Sequence, residues 1–313
     1  MSYLLILIGL VVLIFGGNTL VQGASGIAKR LKLSPLVIGM TVVAFGTSAP
    51  ELMVSLKAAY LGSPEIALGN VIGSNIANIS LVLGIIVLIL PLPIDKNSRN
   101  IDWPVMFAAS IIFFGFALNG NISRAEGIFM FIALSVFTYL LIRNSRKKTK
   151  KREQIQVSDE PIPQLWKSVL LNLAGLAMLY FGAQWLLMGA IDLAEEFGLE
   201  ERIIGVTIIA IGTSIPELAA SIIAAARKET DISLGNLVGS NIFNILSVIG
   251  LTAAIKPIEV SQKIINPDML WMLGIAIIVG VILFFWKKIK RWHGLVLLAS
   301  YATYITILIL SVN

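Results

Sequence analysis

The amino-acid sequence predicts an all-α, polytopic membrane protein: ten transmembrane helices in two inverted five-helix repeats, with helices 2 and 7 broken. Three observations predict this fold class. Of the 313 residues, 57% are hydrophobic and only 13% are charged, whereas soluble domains carry about 25% charged residues. Apolar runs of roughly 20 residues, the length that crosses a bilayer as a helix, recur along the chain. The second half of the chain also repeats the polar motifs of the first half.

The ten spans are predicted at about 3–28, 34–61, 65–91, 103–119, 124–142, 164–194, 200–226, 231–255, 268–286 and 292–311. Lys and Arg collect in loops on the inner side of a membrane. If the N-terminus lies outside, 19 of the 24 Lys and Arg residues fall in inside loops and 5 in outside loops. The sequence therefore predicts a multi-pass protein of the cell (plasma) membrane with both termini outside.

The two halves of the chain match at a constant offset of 166 residues. Positions 38–52 and 204–218 share 10 identities in 15, and positions 66–84 and 232–250 share 12 in 19. Because each half holds five spans, an odd number, the second half enters the membrane from the opposite side. The predicted divisions are an N-terminal repeat at 1–142 (α-repeat about 34–84), a cytoplasmic linker at 143–163 and a C-terminal inverted repeat at 164–313 (α-repeat about 200–250).

A proline and a glutamate stand in the middle of the second span, in the segment Thr-Ser-Ala-Pro-Glu at 47–51, and the pattern returns in the seventh span at 213–217. Pro50 lacks an N–H group and clashes with the carbonyl group four residues earlier, so it breaks the helix and frees carbonyl oxygens. Such oxygens are tolerated at this depth only if they are buried in protein or face water or an ion. Glu51 lies one turn beyond Thr47 on the same face. Each copy is therefore predicted to form a wall of oxygen donors with one negative charge.

A second motif, Gly-Asn-x-x-Gly-Ser-Asn-x-x-Asn, occupies 69–78 and returns at 235–244. Asn70, Ser74 and Asn78 follow one another at intervals of four residues, so they form one polar stripe on a helix. The two glycines of each copy allow another helix to come close. The stripe is predicted to complete an oxygen cage and to tie down the two broken helices.

These residues indicate a cation site at the midplane between the repeats. Of the 18 acidic residues, only Glu51 and Glu217 are predicted to lie deep in spans. A charge at the bilayer centre costs about 2.5–3.5 kcal/mol on insertion scales, so two at equivalent positions indicate function. Oxygen donors of this kind suit Ca²⁺, whereas zinc or copper would require nitrogen or sulfur ligands. Two glutamates neutralise one Ca²⁺, and they could instead hold several Na⁺ ions or protons.

Other classes of function lack the residues that they need. The chain has no cysteine and a single histidine, which excludes thiolate metal sites and argues against a histidine-ligated metal. We find no nucleophile–base pair, nucleotide-binding loop or redox ligand set, so neither enzyme activity nor a cofactor is predicted. The formal charge of +6 follows the membrane loops and does not indicate nucleic acid. Membrane lipid is the expected surrounding, and no obligatory protein partner is implied.

At these two motifs the sequence resembles the cation/Ca²⁺ exchanger superfamily, and most closely the compact prokaryotic sodium/calcium exchangers. The resemblance implies that Ca²⁺ and Na⁺ share the two glutamates as ligands. The full set of site residues that it implies is Glu51, Glu217, Thr47, Thr213, Ser48, Ser214, Ser74, Ser240, Asn78, Asn244, Ala44 and Ala210. Some members carry one aspartate at the two middle positions, where this chain has Asn78 and Asn244.

The resemblance further implies a secondary active antiporter that exchanges Na⁺ for Ca²⁺ by alternating access, with the long outer spans 3–28 and 164–194 sliding against the core. Exchange of three Na⁺ for one Ca²⁺ would move one net charge, so electrogenic transport is expected. Proton/calcium exchangers usually carry a glutamate where this chain has Gly-Ser-Asn at 73–75, which favours sodium. A H⁺- or K⁺-coupled Ca²⁺ antiporter and a passive cation channel are the alternatives.

Overall fold

The computed structural model describes residues 2–94, 96–153, 164–196, 212–262 and 264–312. Within these ranges, eight helices are long and apolar enough to cross a membrane, and a ninth span results if one bent pair of helices is counted as a single span. The chain is therefore an all-helical, multi-span membrane protein. The seventh predicted span, 200–226, begins outside the described residues, so the total of ten stays a prediction.

In chain order, the helices are α1 (Ser2–Leu31), α2 (Pro35–Thr47), α3 (Ala49–Tyr60), α4 (Pro64–Ile89), α5 (Ser98–Ala117), α6 (Arg124–Glu153), α7 (Leu165–Glu196), α8 (Ile215–Ala226), α9 (Thr230–Ile255), α10 (Ile264–Phe285) and α11 (Arg291–Val312). Two short antiparallel ribbons, which the sequence did not predict, pair β1 (Leu92–Pro93) with β4 (Lys288–Ile289) and β2 (Asn121–Ile122) with β3 (Ile258–Glu259). Each ribbon joins a loop of the first half to a loop of the second half.

Helices α4 and α9 form the centre of the bundle. In each of them, 72% of the most apolar stretch is buried inside the protein, compared with 17% in α6 and 28% in α7. These two helices carry the two copies of the Gly-Asn motif. The polar stripes therefore lie in the protein interior, away from the surface that faces lipid.

The second predicted span is broken, as the sequence predicts. Helix α2 ends at Thr47, α3 begins at Ala49, and the helix axes differ by 44°. Between them, Ser48 has φ −87° and ψ 5°, and Pro50 lies in the first turn of α3, where a missing N–H group costs no helical hydrogen bond. In the second half, Ser214 has nearly the same conformation, with φ −88° and ψ 2°. The segment before it, 197–211, lies outside the described residues, so only one side of this second break is seen.

Wide π-helical turns interrupt three of the helices near the polar motifs. They span Gly39–Val43 in α2, Ala77–Val82 in α4 and Asn244–Ile249 in α9. The turns in α4 and α9 contain Asn78 and Asn244, the last residues of the two Gly-Asn motifs. Single π-helical turns inside α-helices are frequently found at functional sites. Both asparagines are predicted site residues, so their position in such turns agrees with this tendency.

Close contacts between the halves are reciprocal. A Cβ atom on Gly9 of α1 would lie 2.8 Å from the carbonyl oxygen of Gly182 in α7, and one on Gly16 would lie 3.2 Å from that of Gly175. Gly175 and Gly182 are the equivalents of Gly9 and Gly16 at the offset of 166 residues. The ribbons follow the same rule, since β3 is the copy of β1 at this offset. These glycines of the two halves thus make exchanged versions of the same contacts.

The basic segment at the start of the predicted linker 143–163 is helical. Helix α6 continues without a break from Arg124 to Glu153, eleven residues beyond the predicted end of the fifth span at 142, which is about 16 Å of helix. Ser145, in this extension, accepts a hydrogen bond from the backbone N–H group of Ser34 at 2.9 Å. The rest of the predicted linker, 154–163, lies outside the described residues.

Trp103 joins α5 to α10. Its indole N–H group donates to the carbonyl oxygen of Ala276 at 2.8 Å, and its ring stacks on Phe107 with centroids 5.1 Å apart. We expect Trp103→Phe to lower the midpoint of thermal unfolding in detergent by about 2–4 °C, because it removes one hydrogen bond between helices. Trp166→Phe is the control, since Trp166 is 63% exposed. An equal shift for both variants would contradict this role of Trp103.

Candidate cation site

The two predicted glutamates lie at the starts of the helices that follow the breaks. Glu51 is in the first turn of α3 and Glu217 in the first turn of α8, and neither has any exposed surface. The N-terminus of a helix carries partial positive charge and unpaired N–H groups, which stabilise a carboxylate there. The two carboxylates also repel each other electrostatically. A cation between them would therefore meet two negative charges that the fold already holds in place.

Hydrogen bonds between the halves connect the two breaks. The Ser48 hydroxyl donates to Oε1 of Glu217 at 3.1 Å. The hydroxyl oxygens of Ser74 in α4 and Thr213 before α8 lie 3.4 Å apart. Residues that are far apart in the sequence thus meet around the carboxylates, as the two motifs predict.

Several buried polar atoms around the breaks have no hydrogen-bond partner among the described residues. They are both carboxylate oxygens of Glu51, Oε2 of Glu217, the side-chain amides of Asn78 and Asn244, and the hydroxyl groups of Ser214 and Ser240. Buried polar groups are almost always paired, and leaving one unpaired costs about 1–3 kcal/mol, or more for a charged group. Oxygens of this kind fit a cation that would take them as ligands.

Ten of the twelve predicted site residues are buried in the structure, namely Glu51, Glu217, Thr47, Ser48, Ser214, Ser74, Ser240, Asn78, Asn244 and Ala44. Thr213 is half-buried, and Ala210 lies outside the described residues. Helix α3, which carries Glu51, contacts the π-helical turn that begins at Asn244, and α8, which carries Glu217, contacts the turn that contains Asn78. The structure therefore brings each glutamate-bearing helix to the asparagine of the opposite half.

Asn70 ties down a broken helix, which is one of the two roles that the polar stripe predicts. Its side-chain N–H groups donate to the carbonyl oxygen of Glu51 at 3.2 Å and to the Ser55 hydroxyl at 3.0 Å, so it braces α3. In the second half, Asn236 donates to the Ser221 hydroxyl at 2.9 Å. Ser55 and Ser221 were not predicted, although each follows its glutamate by four residues, on the same helix face.

A third buried carboxylate was also not predicted. Asp102 is 2% exposed, because the π-helical turn Ser98–Asp102 at the start of α5 carries it into the protein. It borders a small cavity that Asn78 and Asn241 also line. In the sequence, Asp102 follows Arg99 at the edge of an apolar run, which is the usual place for a residue at the membrane surface.

The donors at the breaks are all oxygens. In the ranges that the structure describes, no three side chains of His, Cys, Asp or Glu are grouped so that they could hold a metal ion. A cation here would therefore be bound by two carboxylates and otherwise by neutral oxygens, a set that suits hard cations such as Ca²⁺ and Na⁺. Broken helices that carry such oxygens inside a multi-span bundle are typical of membrane transporters of cations.

Comparison with known proteins identifies the family. A family model described as sodium/calcium exchanger protein matches residues 1–143 and 167–310. The putative antiporter CaxA of Alkalimonas amylolytica is 36% identical over 305 residues, with 96% of each chain covered. The sodium/calcium exchanger MaX1 of Methanosarcina acetivorans is 30% identical, with 98% of each chain covered. The chain therefore belongs to the sodium/calcium exchanger protein family, a family of transporters rather than enzymes, and this confirms the predicted resemblance to the cation/Ca²⁺ exchanger superfamily.

Solved structures agree with this assignment. The sodium-calcium exchanger NCX_Mj soaked with 2.5 mM Na⁺ and 0.1 mM Ca²⁺ matches with a TM-score of 0.83 and 30% sequence identity, over 97% of both chains. The same exchanger soaked with zero Na⁺ and Ca²⁺ matches with a TM-score of 0.84 and 31% identity, over 98% of both chains. Fold and family together make the chain a cation/Ca²⁺ antiporter.

Proposed function

We propose that the chain exchanges Na⁺ for Ca²⁺ across the membrane by alternating access. The main support is the pair of fully buried carboxylates, of which both oxygens of Glu51 and one of Glu217 have no hydrogen-bond partner in the described part of the chain. Their two negative charges neutralise one Ca²⁺, and the surrounding oxygens also suit Na⁺. The relative MaX1 is named a sodium/calcium exchanger, which supports Na⁺ as the partner ion. Both ions are substrates, and we propose no resident cofactor.

The proposed ligands follow the predicted set. Glu51 and Glu217 would bind both ions through their carboxylates, and Thr47 and Thr213 would hold Ca²⁺ through backbone carbonyl oxygens. The proposed Na⁺ ligands add the carbonyl oxygens of Ala44 and Ala210 and the hydroxyl groups of Ser48, Ser214, Ser74 and Ser240. Asn78 and Asn244 would line the middle of the site, where their unpaired amide oxygens support this assignment.

We also propose that the two halves are inverted five-helix repeats, with ten spans in total and a two-fold axis in the membrane plane. The exchanged contacts of Gly9 with Gly182 and of Gly16 with Gly175 support this symmetry. The hydrogen bonds of Asn70 to Ser55 and of Asn236 to Ser221, at equivalent positions, support it as well. In such an architecture the substrate site lies near the bilayer midplane between the repeats, which is where the proposed ligands would be.

Transport is proposed to be electrogenic. The only carboxylates among the proposed ligands are those of Glu51 and Glu217, since Asn78 and Asn244 are neutral. With a charge of −2 from the glutamates, a site with one Ca²⁺ is neutral and a site with three Na⁺ carries a charge of +1. A cycle of this kind moves one net charge, so its rate depends on membrane potential. The protein would act in the plasma membrane, with both termini outside, among membrane lipid and without an obligatory protein partner or nucleic acid.

The test is uptake of ⁴⁵Ca²⁺ into vesicles that contain the purified protein. We expect uptake when Na⁺ is loaded inside and diluted outside, and stronger uptake when the membrane potential draws the compensating positive charge outward. Uptake driven equally well by a K⁺ or H⁺ gradient would contradict Na⁺ as the specific ion that is exchanged for Ca²⁺. Uptake that follows the Ca²⁺ gradient alone, without a counter-ion, would instead indicate a passive channel.

A further inference from the structure

Asn236 is not one of the proposed ligands, but its side chain makes hydrogen bonds to two other helices. It lies in α9 and is 1% exposed. Its side-chain N–H group donates to the Ser221 hydroxyl at 2.9 Å, and its Oδ1 accepts a hydrogen bond from the Thr47 hydroxyl at 3.2 Å. Ser221 belongs to α8 and Thr47 to the end of α2. One buried side chain therefore connects the two helices that form the breaks.

The chemistry of the amide group decides the direction of these bonds. The nitrogen of an asparagine side chain can only donate and its oxygen can only accept. Ser233, one turn earlier in α9, donates to the backbone carbonyl oxygen of Ser221 at 2.8 Å, so α8 and α9 are held together at this level. With its nitrogen committed to Ser221, Asn236 presents its oxygen to Thr47. The Thr47 hydroxyl group then donates to Asn236 at 3.2 Å, and the carbonyl oxygen of Ala44, at 3.4 Å, is its other acceptor.

The equivalent residue of the first half makes a different set of bonds. In the described part of the chain, the side chain of Asn70 bonds to Ser55 and to the carbonyl oxygen of Glu51, and both partners lie in α3. Thr213 is the residue equivalent to Thr47, and its hydroxyl oxygen lies 3.4 Å from the hydroxyl oxygen of Ser74. Asn236 thus links one half of the chain to the other, whereas the bonds of Asn70 stay within its own half.

We propose that Asn236 is a positioning residue: it holds Thr47 in register with α8 and thereby sets the affinity of the site for Ca²⁺, a role that rests on the proposed exchange function. It acts through Thr47 and is not itself a ligand. Without Asn236, the carboxylates of Glu51 and Glu217 keep their places at the helix starts, but Thr47 loses its anchor. Affinity therefore falls, while the maximum rate is kept.

A double-mutant cycle tests this role. We expect Asn236→Ala and Thr47→Val each to raise the half-saturating Ca²⁺ concentration of Na⁺-driven uptake about fivefold, the size of one lost hydrogen bond. The double variant should resemble Asn236→Ala alone, because both substitutions remove the same bond. As the matched comparison, Asn70→Ala combined with Thr47→Val should multiply the two single effects, since these residues share no bond.

Other outcomes would overturn either the role of Asn236 or the exchange function. Independent, multiplying effects of Asn236→Ala and Thr47→Val, or a loss of maximum rate at unchanged half-saturation, would overturn the role of Asn236. If Asn236→Ala is not monodisperse in detergent, Ser221→Ala cuts the same connection at its other end, and multiplication with Thr47→Val would again overturn it. If the wild type shows no Na⁺-driven uptake, the exchange function fails instead, and the same cycle is measured as ⁴⁵Ca²⁺ binding to the purified protein.

Discussion

Glu51→Gln and Glu217→Gln are each expected to abolish Na⁺-driven ⁴⁵Ca²⁺ uptake, with a loss of at least about 100-fold. Both carboxylates are fully buried, and a buried cation that loses one oppositely charged partner is destabilised by about 3–5 kcal/mol. Glutamine has almost the same shape as glutamate, so the protein should still fold. Its amide group removes one negative charge and can turn an N–H donor toward the cation. The measurement is initial uptake rate in vesicles, together with ⁴⁵Ca²⁺ binding in detergent.

Glu65→Gln is the matched control for these two variants. Glu65 also lies in the first turn of a helix, α4, but it is exposed. Uptake by this variant should equal that of the wild type. Normal uptake by Glu51→Gln or Glu217→Gln would show that the substituted carboxylate is not a ligand of the transported cation. A weaker loss in Glu217→Gln than in Glu51→Gln would agree with the hydrogen bond that Ser48 already donates to Glu217.

Gly235→Ala is expected to reduce uptake about tenfold or more and to lower thermal stability. A Cβ atom on Gly235 of α9 would overlap the carbonyl oxygen of Leu36 in α2 and would lie 3.0 Å from the backbone nitrogen of Met40. Both contacts are with backbone atoms, which no side-chain rotation can relieve. Forcing extra atoms into such a contact typically costs about 1–3 kcal/mol. It would also push α2, which carries Thr47, away from the site.

Gly115→Ala is the control for this substitution. Gly115 lies within α5, and no heavy atom of the described residues is within 4 Å of a Cβ atom added there. Alanine also favours a helix over glycine by about 1 kcal/mol. This variant should therefore match or exceed the wild type in stability and transport normally. Wild-type uptake by Gly235→Ala would show that α2 and α9 do not need their close contact for transport.

The sequence predicts well those parts of the site whose residues have a high free-energy cost in a plain membrane helix. A glutamate in an apolar run, a proline in the middle of a span and glycines at regular spacing each disfavour a plain membrane helix. Residues such as Glu51 and Pro50 therefore stand out without any structure. The constant offset between the halves then relates each of them to a partner in the second half, and Glu217 is found with the same argument.

The connections between helices could not be predicted in the same way. The bond between Thr47 and Asn236 joins residues 189 positions apart, and it depends on how α9 is rotated against α2. The two-residue ribbons are too short to produce an alternating pattern in the sequence. Asp102 is buried through a π-helical turn, whose extra residue changes the face on which a side chain lies. Each case depends on packing geometry that residue spacing does not contain.

In the part of the chain that the structure describes, the two ribbons join the ends of some helices and leave others, including α1 and α7, without such a connection. By pairing β1 with β4 and β2 with β3, they fasten the ends of α4, α5, α6, α9, α10 and α11 to one another across the two halves. These fastenings consist of backbone hydrogen bonds, so their stiffness does not depend on the exposed side chains. Helices α1 and α7 carry no such fastening in the described residues and contact each other along glycines. We therefore expect the six helices that the ribbons fasten to move together as one frame, whereas α1 and α7 lack this restraint.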